Sequence, residues 1–150
     1  MNKISLGLIL ISCLLPLSLN EARGKPSAAA LTAVQQDSTV VSVFKRIEKG
    51  ILEVDVKIFF DFLSSETYLS LKNGISGYYS ANQSYYILQD YLSLNIPAEF
   101  KFTGMSSDSA IPYASGILKY SHKGVRGDAQ IFISLKTVNG SWQISQITIN

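Results

Sequence analysis

The chain holds one cysteine, one histidine and one tryptophan in 150 residues, and each scarcity excludes chemistry. Cys13 has no partner within the chain for a disulfide, and no Cys/His set with zinc-finger spacing can be written. Acidic residues are scattered rather than convergent, so neither a metal site nor a cofactor is expected. No serine lies in a nucleophile elbow, which leaves a Ser-His-Asp arrangement unsupported. A dominant charge of one sign is lacking too. Thirteen basic residues stand against 11 acidic ones, a formal net charge of +2, and nothing there favours nucleic acid or an anionic membrane as a partner.

Beyond its first twenty residues the chain has no long apolar run. The one it has, Ile4 to Leu19, follows Lys3, is broken by Pro16, and falls short of the roughly 18 to 20 apolar residues of a membrane-spanning helix. That layout is a secretory signal peptide over 1–24, with Ala22 and Gly24 as the small residues before a cut at Lys25 and the Ala28/Ala30 pair as a second site. The expected mature protein is secreted or periplasmic, free of cysteine and without a membrane span. Leu10-Ile11-Ser12-Cys13 resembles a lipobox and offers a lipid anchor at Cys13 as the alternative. The apolar LLPLSL that follows Cys13 speaks against it.

Residues 25–36, KPSAAALTAVQQ, are small and polar and are expected to form a flexible lead-in to a single domain over 37–150. Val40, Phe44, Ile47 and Ile51 recur on one helical stripe, with Asp37 or Ser38 as the cap, Gly50 at the end, and Lys45, Arg46 and Lys49 on a solvated face. Asp55 caps a short Phe-rich helix, VKIFFDFL. Two alternating runs about Asn73-Gly74 predict a hairpin, and Ser80 caps a third helix carrying Ala81, Tyr85, Leu88 and Leu92 on one face. Pro97 ends that helix, and strands fill the chain from Ala98 onward.

Lys123-Gly124 and Asn139-Gly140, taken as two-residue turns, set the register of the last three strands. Regular alternation then puts Leu118, Tyr120, His122, Val125, Ala129, Ile131, Ile133, Leu135, Trp142 and Ile144 on the core face, with Gln146 and Thr148 as polar intruders. The outer face receives Lys119 opposite Asp128, together with Ile117, Phe132, Ile147 and Ile149. These four apolar residues form a candidate contact for a homodimer.

The architecture expected is α+β: about three helices packed on a curved antiparallel sheet, in the order helix, helix, hairpin, helix, strand meander. RIEKGILEVDVKIFFDFLS (46–64) and GDAQIFISLKTVNGSWQISQITIN (127–150) carry a likeness to the nuclear transport factor two-like, or cystatin-like, superfamily, a cone-shaped fold. NGISGYYSANQSYYILQDY (73–91), joined to the terminal stretch, resembles a family of uncharacterised secreted bacterial domains of that fold. The likeness implies the fold and leaves the function open, because the scaffold hosts isomerases, dehydratases and plain binding modules.

Ketosteroid isomerase and its relatives imply carboxylates inside the cone. The core face assigned above carries none, with Asp128 outside, Asp37 and Asp55 acting as caps, and Glu99 and Asp90 unplaced. Dehydratase-like relatives imply a His-Asp pair, and only His122 is present. Two function classes follow. One is an exported, non-catalytic binding or protein-interaction module for a small apolar or amphipathic ligand, with Tyr78, Tyr85, Tyr91, Tyr120, Trp142, Gln146 and Thr148 as lining residues. The other is an isomerase- or dehydratase-like enzyme using His122 as base and Tyr120 or Tyr78 as donor. A carboxylate within reach of His122 separates them.

Overall fold

The computed structural model of the protein describes the backbone of residues 28–150 and side chains from Thr39 onward. The expected signal peptide and Cys13 lie outside the described residues. Helix α1 runs from Ala28 to Leu52, so the lead-in expected to be flexible is helical from Ala28, and Asp37 and Ser38 lie within the helix rather than at its start. The physical reason is composition: alanine, leucine and glutamine are good helix formers, and a stretch of small residues need not be a loop. Val40, Phe44, Ile47 and Ile51 are all buried along one stripe, joined by Val43.

After α1 a tight connection through Val54 leads into a 3-10 helix, Val56–Phe62, capped by Asp55, whose carboxylate accepts from the Lys57 N–H at 3.0 Å. Arg46 does not simply face solvent. Its guanidinium donates to the Ile58 carbonyl at 2.9 Å and lies 4.8 Å from the centre of the Phe62 ring, tying the 3-10 helix to α1. Helix α2, Ala81–Leu94, starts at Ser80 with a capping box closed by Gln83. Gln89 then acts as a surrogate peptide group: its Oε1 accepts from Val56 N at 3.1 Å and its Nε2 donates to Val54 O at 2.7 Å. One side chain thus satisfies the backbone of the connection and binds α2 to it.

Six strands form one sheet in the order β2-β1-β6-β5-β4-β3, comprising β1 (Leu63–Leu71), β2 (Ser76–Tyr79), β3 (Ile96–Ser106), β4 (Tyr113–His122), β5 (Val125–Val138) and β6 (Ser141–Ile149). All pairings are antiparallel except β1 with β6, which is parallel and makes the sheet mixed rather than purely antiparallel. Lys123 and Gly124 take φ of 49° and 81°, and Asn139 and Gly140 take 50° and 78°. Both pairs therefore make the two-residue turns expected of their sequences. Every β4–β5 partner follows the predicted register, including Lys119 opposite Asp128.

The β5–β6 ladder departs from it. Leu135 faces Ile144 as expected, but Ser134 then faces Gln146, so Ser145 is an extra residue on β6. Beyond this bulge the parity inverts. Ile147 and Ile149 enter the core at 2 % and 1 % exposure, while Gln146 and Thr148 turn to the outer face. Ser145 closes the bulge by donating to the Ser134 carbonyl at 3.1 Å, with the two hydroxyls 2.9 Å apart.

Two further bulges bend β3, after Pro97 and after Phe102. At the second, the Phe102 N–H is taken by the Glu48 carboxylate of α1 at 3.0 Å, which pins the edge strand to the helix. The helices and the 3-10 segment cover one face of the curved sheet, and the core between them contains Phe44, Phe59, Leu69, Leu92, Leu118, Ile133 and Leu135. The same core also receives Ile147 and Ile149.

Candidate functional site

The end of the sheet that holds the Lys72-Asn73 and Lys123-Gly124 turns is where the chain leaves a cavity. The parallel β1–β6 pair brings the end of β1 beside the start of β5, and Lys72 Nζ donates to the Asp128 carbonyl at 3.3 Å across that junction. The last turn of α2 comes down over the same end. Between them lies a cleft of about 500 Å3 with Tyr91, Tyr120, Leu94 and Val125 as its apolar and aromatic surface and Asn73, Asn95 and His122 among its polar groups. Lys72, Lys123, Arg126 and Gly127 complete it. The size falls in the range of small-molecule sites, roughly 300 to 1,000 Å3.

Tyr120 owes its position to a glycine. It sits opposite Gly127 on β5, and a Cβ there would lie 2.9 Å from its ring. The missing side chain at Gly127 leaves the room that the outer end of the phenol ring occupies beside the cleft. Tyr91 is buried against the core, and that burial, with the nearby Tyr120, pushes its phenol pKa up to about 12. It stays a neutral donor at any physiological pH. Neither phenolic oxygen has a hydrogen-bond partner among the described residues.

His122 is held by Asn95. The Asn95 Nδ2 donates to the Tyr91 carbonyl at 2.9 Å, which leaves its Oδ1 as an acceptor, 3.1 Å from His122 Nδ1. The network therefore puts the proton of the neutral ring on Nδ1 and leaves Nε2 for other partners. No aspartate or glutamate lines this cleft among the described residues. Glu99, unplaced by sequence, pairs with Lys119 at 2.8 Å, an exposed contact that raises the Lys119 pKa chiefly by this hydrogen bond. Asp90 is exposed on α2. No cluster of three or more His, Cys, Asp or Glu able to hold a metal occurs among the described residues.

Of the lining residues expected from sequence, Tyr91 and Tyr120 meet in this cleft, beside His122. The others lie elsewhere. Tyr78, 74 % exposed, and Gln146 border a separate depression of about 380 Å3 on the outer face, with Tyr68, Glu66, Lys136 and Ser145. Thr148 is on that same face and accepts from Gln146 Nε2 at 2.9 Å. Tyr85 packs edge-on against Phe60 and Tyr86, and half-buried Trp142 sits opposite Thr137 near the other end of the sheet. The bulge is the reason for Gln146 and Thr148; the rest follows from helix rotation and strand length.

The four proposed dimer-contact residues also separate. Ile147 and Ile149 belong to the core, so they cannot form an outer contact in this fold. Ile117 remains 55 % exposed, and Phe132 stacks on Tyr113 with ring centres 5.7 Å apart. Val125, expected in the core, is 71 % exposed at the cleft mouth, because the β4–β5 hairpin extends past the helices.

Asn95, Lys72 and Arg126 escaped the sequence reading of the site. Turn chemistry located both hairpins, but only the parallel pairing of β1 with β6 brings their tips to one place.

A helix-covered mixed sheet curved by bulges, with a cleft at one end, is the nuclear transport factor two-like fold. Solved structures agree: a ketosteroid isomerase-like protein from Erwinia carotovora atroseptica superposes with a TM-score of 0.62 at 11% identity, covering 77% of this chain and 95% of that one. A protein of unknown function with this fold from Shewanella oneidensis MR-1 gives 0.54 at 12% identity, over 75% and 96%. Residues 44–150 match the family described as domain of unknown function DUF4783, and the chain belongs to that family. A family member from Bacteroides uniformis ATCC 8492 has a TM-score of 0.64 at 15% identity, covering 71% of this chain and 94% of its own. No protein of the curated set matches the sequence.

Proposed function

We propose that the protein is an exported, non-catalytic binding module whose cleft under Tyr91 and Tyr120 takes a small amphipathic ligand. One observation carries this reading: two phenols without hydrogen-bond partners among the described residues converge in a cavity of about 500 Å3 that no carboxylate lines. Neutral donors set in an apolar wall orient a ligand without supplying a base. The enzyme alternative needs an acid partner for His122, and the ring's partner is the Asn95 amide. Export rests on the pattern of residues 1–24. With Ile147 and Ile149 in the core, the outer face offers a smaller apolar patch for a second copy than regular alternation implied, so the proposal stands on the cleft and not on pairing.

Native mass spectrometry of the protein purified undenatured from its own host tests the reading. The wild type is expected to carry a small-molecule adduct that Tyr120→Ala releases. Bare wild-type protein, or an adduct retained equally by Tyr120→Ala, would count against it.

A further inference from the structure

The charge around this cleft is one-sided in a way the composition does not require. The chain has 13 basic and 11 acidic residues, yet the lining holds three cations, Lys72, Lys123 and Arg126, and no acid. None of the three forms an ion pair among the described residues, whereas Lys119 on the outer face is paired with Glu99. Lys72 reaches only the backbone carbonyl of Asp128, and Asp128 itself stands opposite Lys119 on β5. The two phenols among the remaining polar groups can donate to an anion. Cations without counter-charges at the mouth of a low-dielectric cleft focus their field into it.

Resting on the binding reading above, we propose that the ligand is an anionic amphiphile, with its acid group between Lys72, Lys123 and Arg126 and its apolar body against Tyr91 and Tyr120. The apolar wall excludes a purely inorganic anion as the best fit, since it would leave Leu94 and the aromatic rings uncovered. A cationic amphiphile would be repelled by the three cations, and a neutral one would gain nothing from them.

Two probes of nearly the same shape separate charge from apolar fit: 1-anilinonaphthalene-8-sulfonate and its uncharged parent, N-phenyl-1-naphthylamine. Fluorescence titration is expected to give the sulfonate at least about tenfold tighter binding, the worth of one charge-assisted hydrogen bond. Added salt should narrow the gap. The triple variant Lys72→Gln, Lys123→Asn, Arg126→Gln should abolish the preference by weakening the sulfonate at least about tenfold. Val125→Glu, which sets a carboxylate among the three cations at an exposed position outside the core, should also abolish the preference. Equal affinities in the wild type, or a preference that survives both variants, would overturn the anionic ligand class and leave the cleft standing. Failure of both probes to bind, or binding unaffected by Tyr120→Ala, would overturn the cleft itself.

Discussion

Ile147→Lys is expected to prevent folding, while Phe132→Lys leaves a folded protein. Ile147 is fully enclosed by the core, so the substitution removes a buried side chain worth about 2 to 5 kcal/mol and forces an unpaired ammonium into the space. The combined loss, more than about 4 kcal/mol, approaches the 5 to 15 kcal/mol that hold an average domain together. Phe132 lies on the outer face against Tyr113, where a lysine stem keeps some of the contact and its charge stays in water. Urea unfolding followed by circular dichroism reads both. A tolerated Ile147→Lys, beside an equally tolerated Phe132→Lys, would mean that β6 alternates regularly and carries no bulge at Ser145.

Alkaline pH should weaken the fold through Tyr91. Its pKa is raised from 10 in the unfolded chain to about 12 in the folded protein. Below pH 10 both states hold the proton and the contribution is intact. As pH rises, the unfolded chain ionises first, and stability drains away until the folded phenol also ionises near pH 12. The loss is about 1 kcal/mol by pH 11 and on the order of 2 to 3 kcal/mol above pH 12. Tyr91→Phe keeps the ring in place and removes the ionisation. The difference between wild type and variant in urea midpoint should therefore change between pH 8 and pH 11, with the wild type losing more. Parallel losses would contradict the burial of this hydroxyl.

The bulge also marks where sequence reasoning reached its limit. Capping residues at Asp55 and Ser80, both type I′ turns, the α1 stripe and the whole β4–β5 register were legible, because each depends on local chemistry or strict period. The sign of the bulge was present as well: Ile144, Ile147 and Ile149 are spaced by three and then two, and a spacing of three breaks strand alternation unless one residue is extra. Reading the strand as uniform sent two isoleucines outward and two polar residues inward. The cleft was less accessible. Regular alternation puts Tyr120 on the inward face and Tyr91 is expected as a lining residue, but Lys72, Asn95 and Arg126 join them only through the parallel β1–β6 pairing and the landing of α2, contacts between elements distant in sequence. Composition misled at residues 28–36, where alanine-rich chain reads as a linker and folds as helix.

Tyr91 and Tyr120 line the cleft whose mouth carries Lys72, Lys123 and Arg126, and Tyr68 and Tyr78 border the separate depression on the outer face. Aromatic proton–carbon correlation spectra, recorded while 1-anilinonaphthalene-8-sulfonate is titrated into the wild-type protein, distinguish them directly. Saturable shifts of the Tyr91, Tyr120 and His122 rings, with Tyr68, Tyr78 and Trp142 unmoved, are the predicted result. Shifts confined to Tyr68 and Tyr78 would contradict it and move the binding site to the opposite side of the sheet.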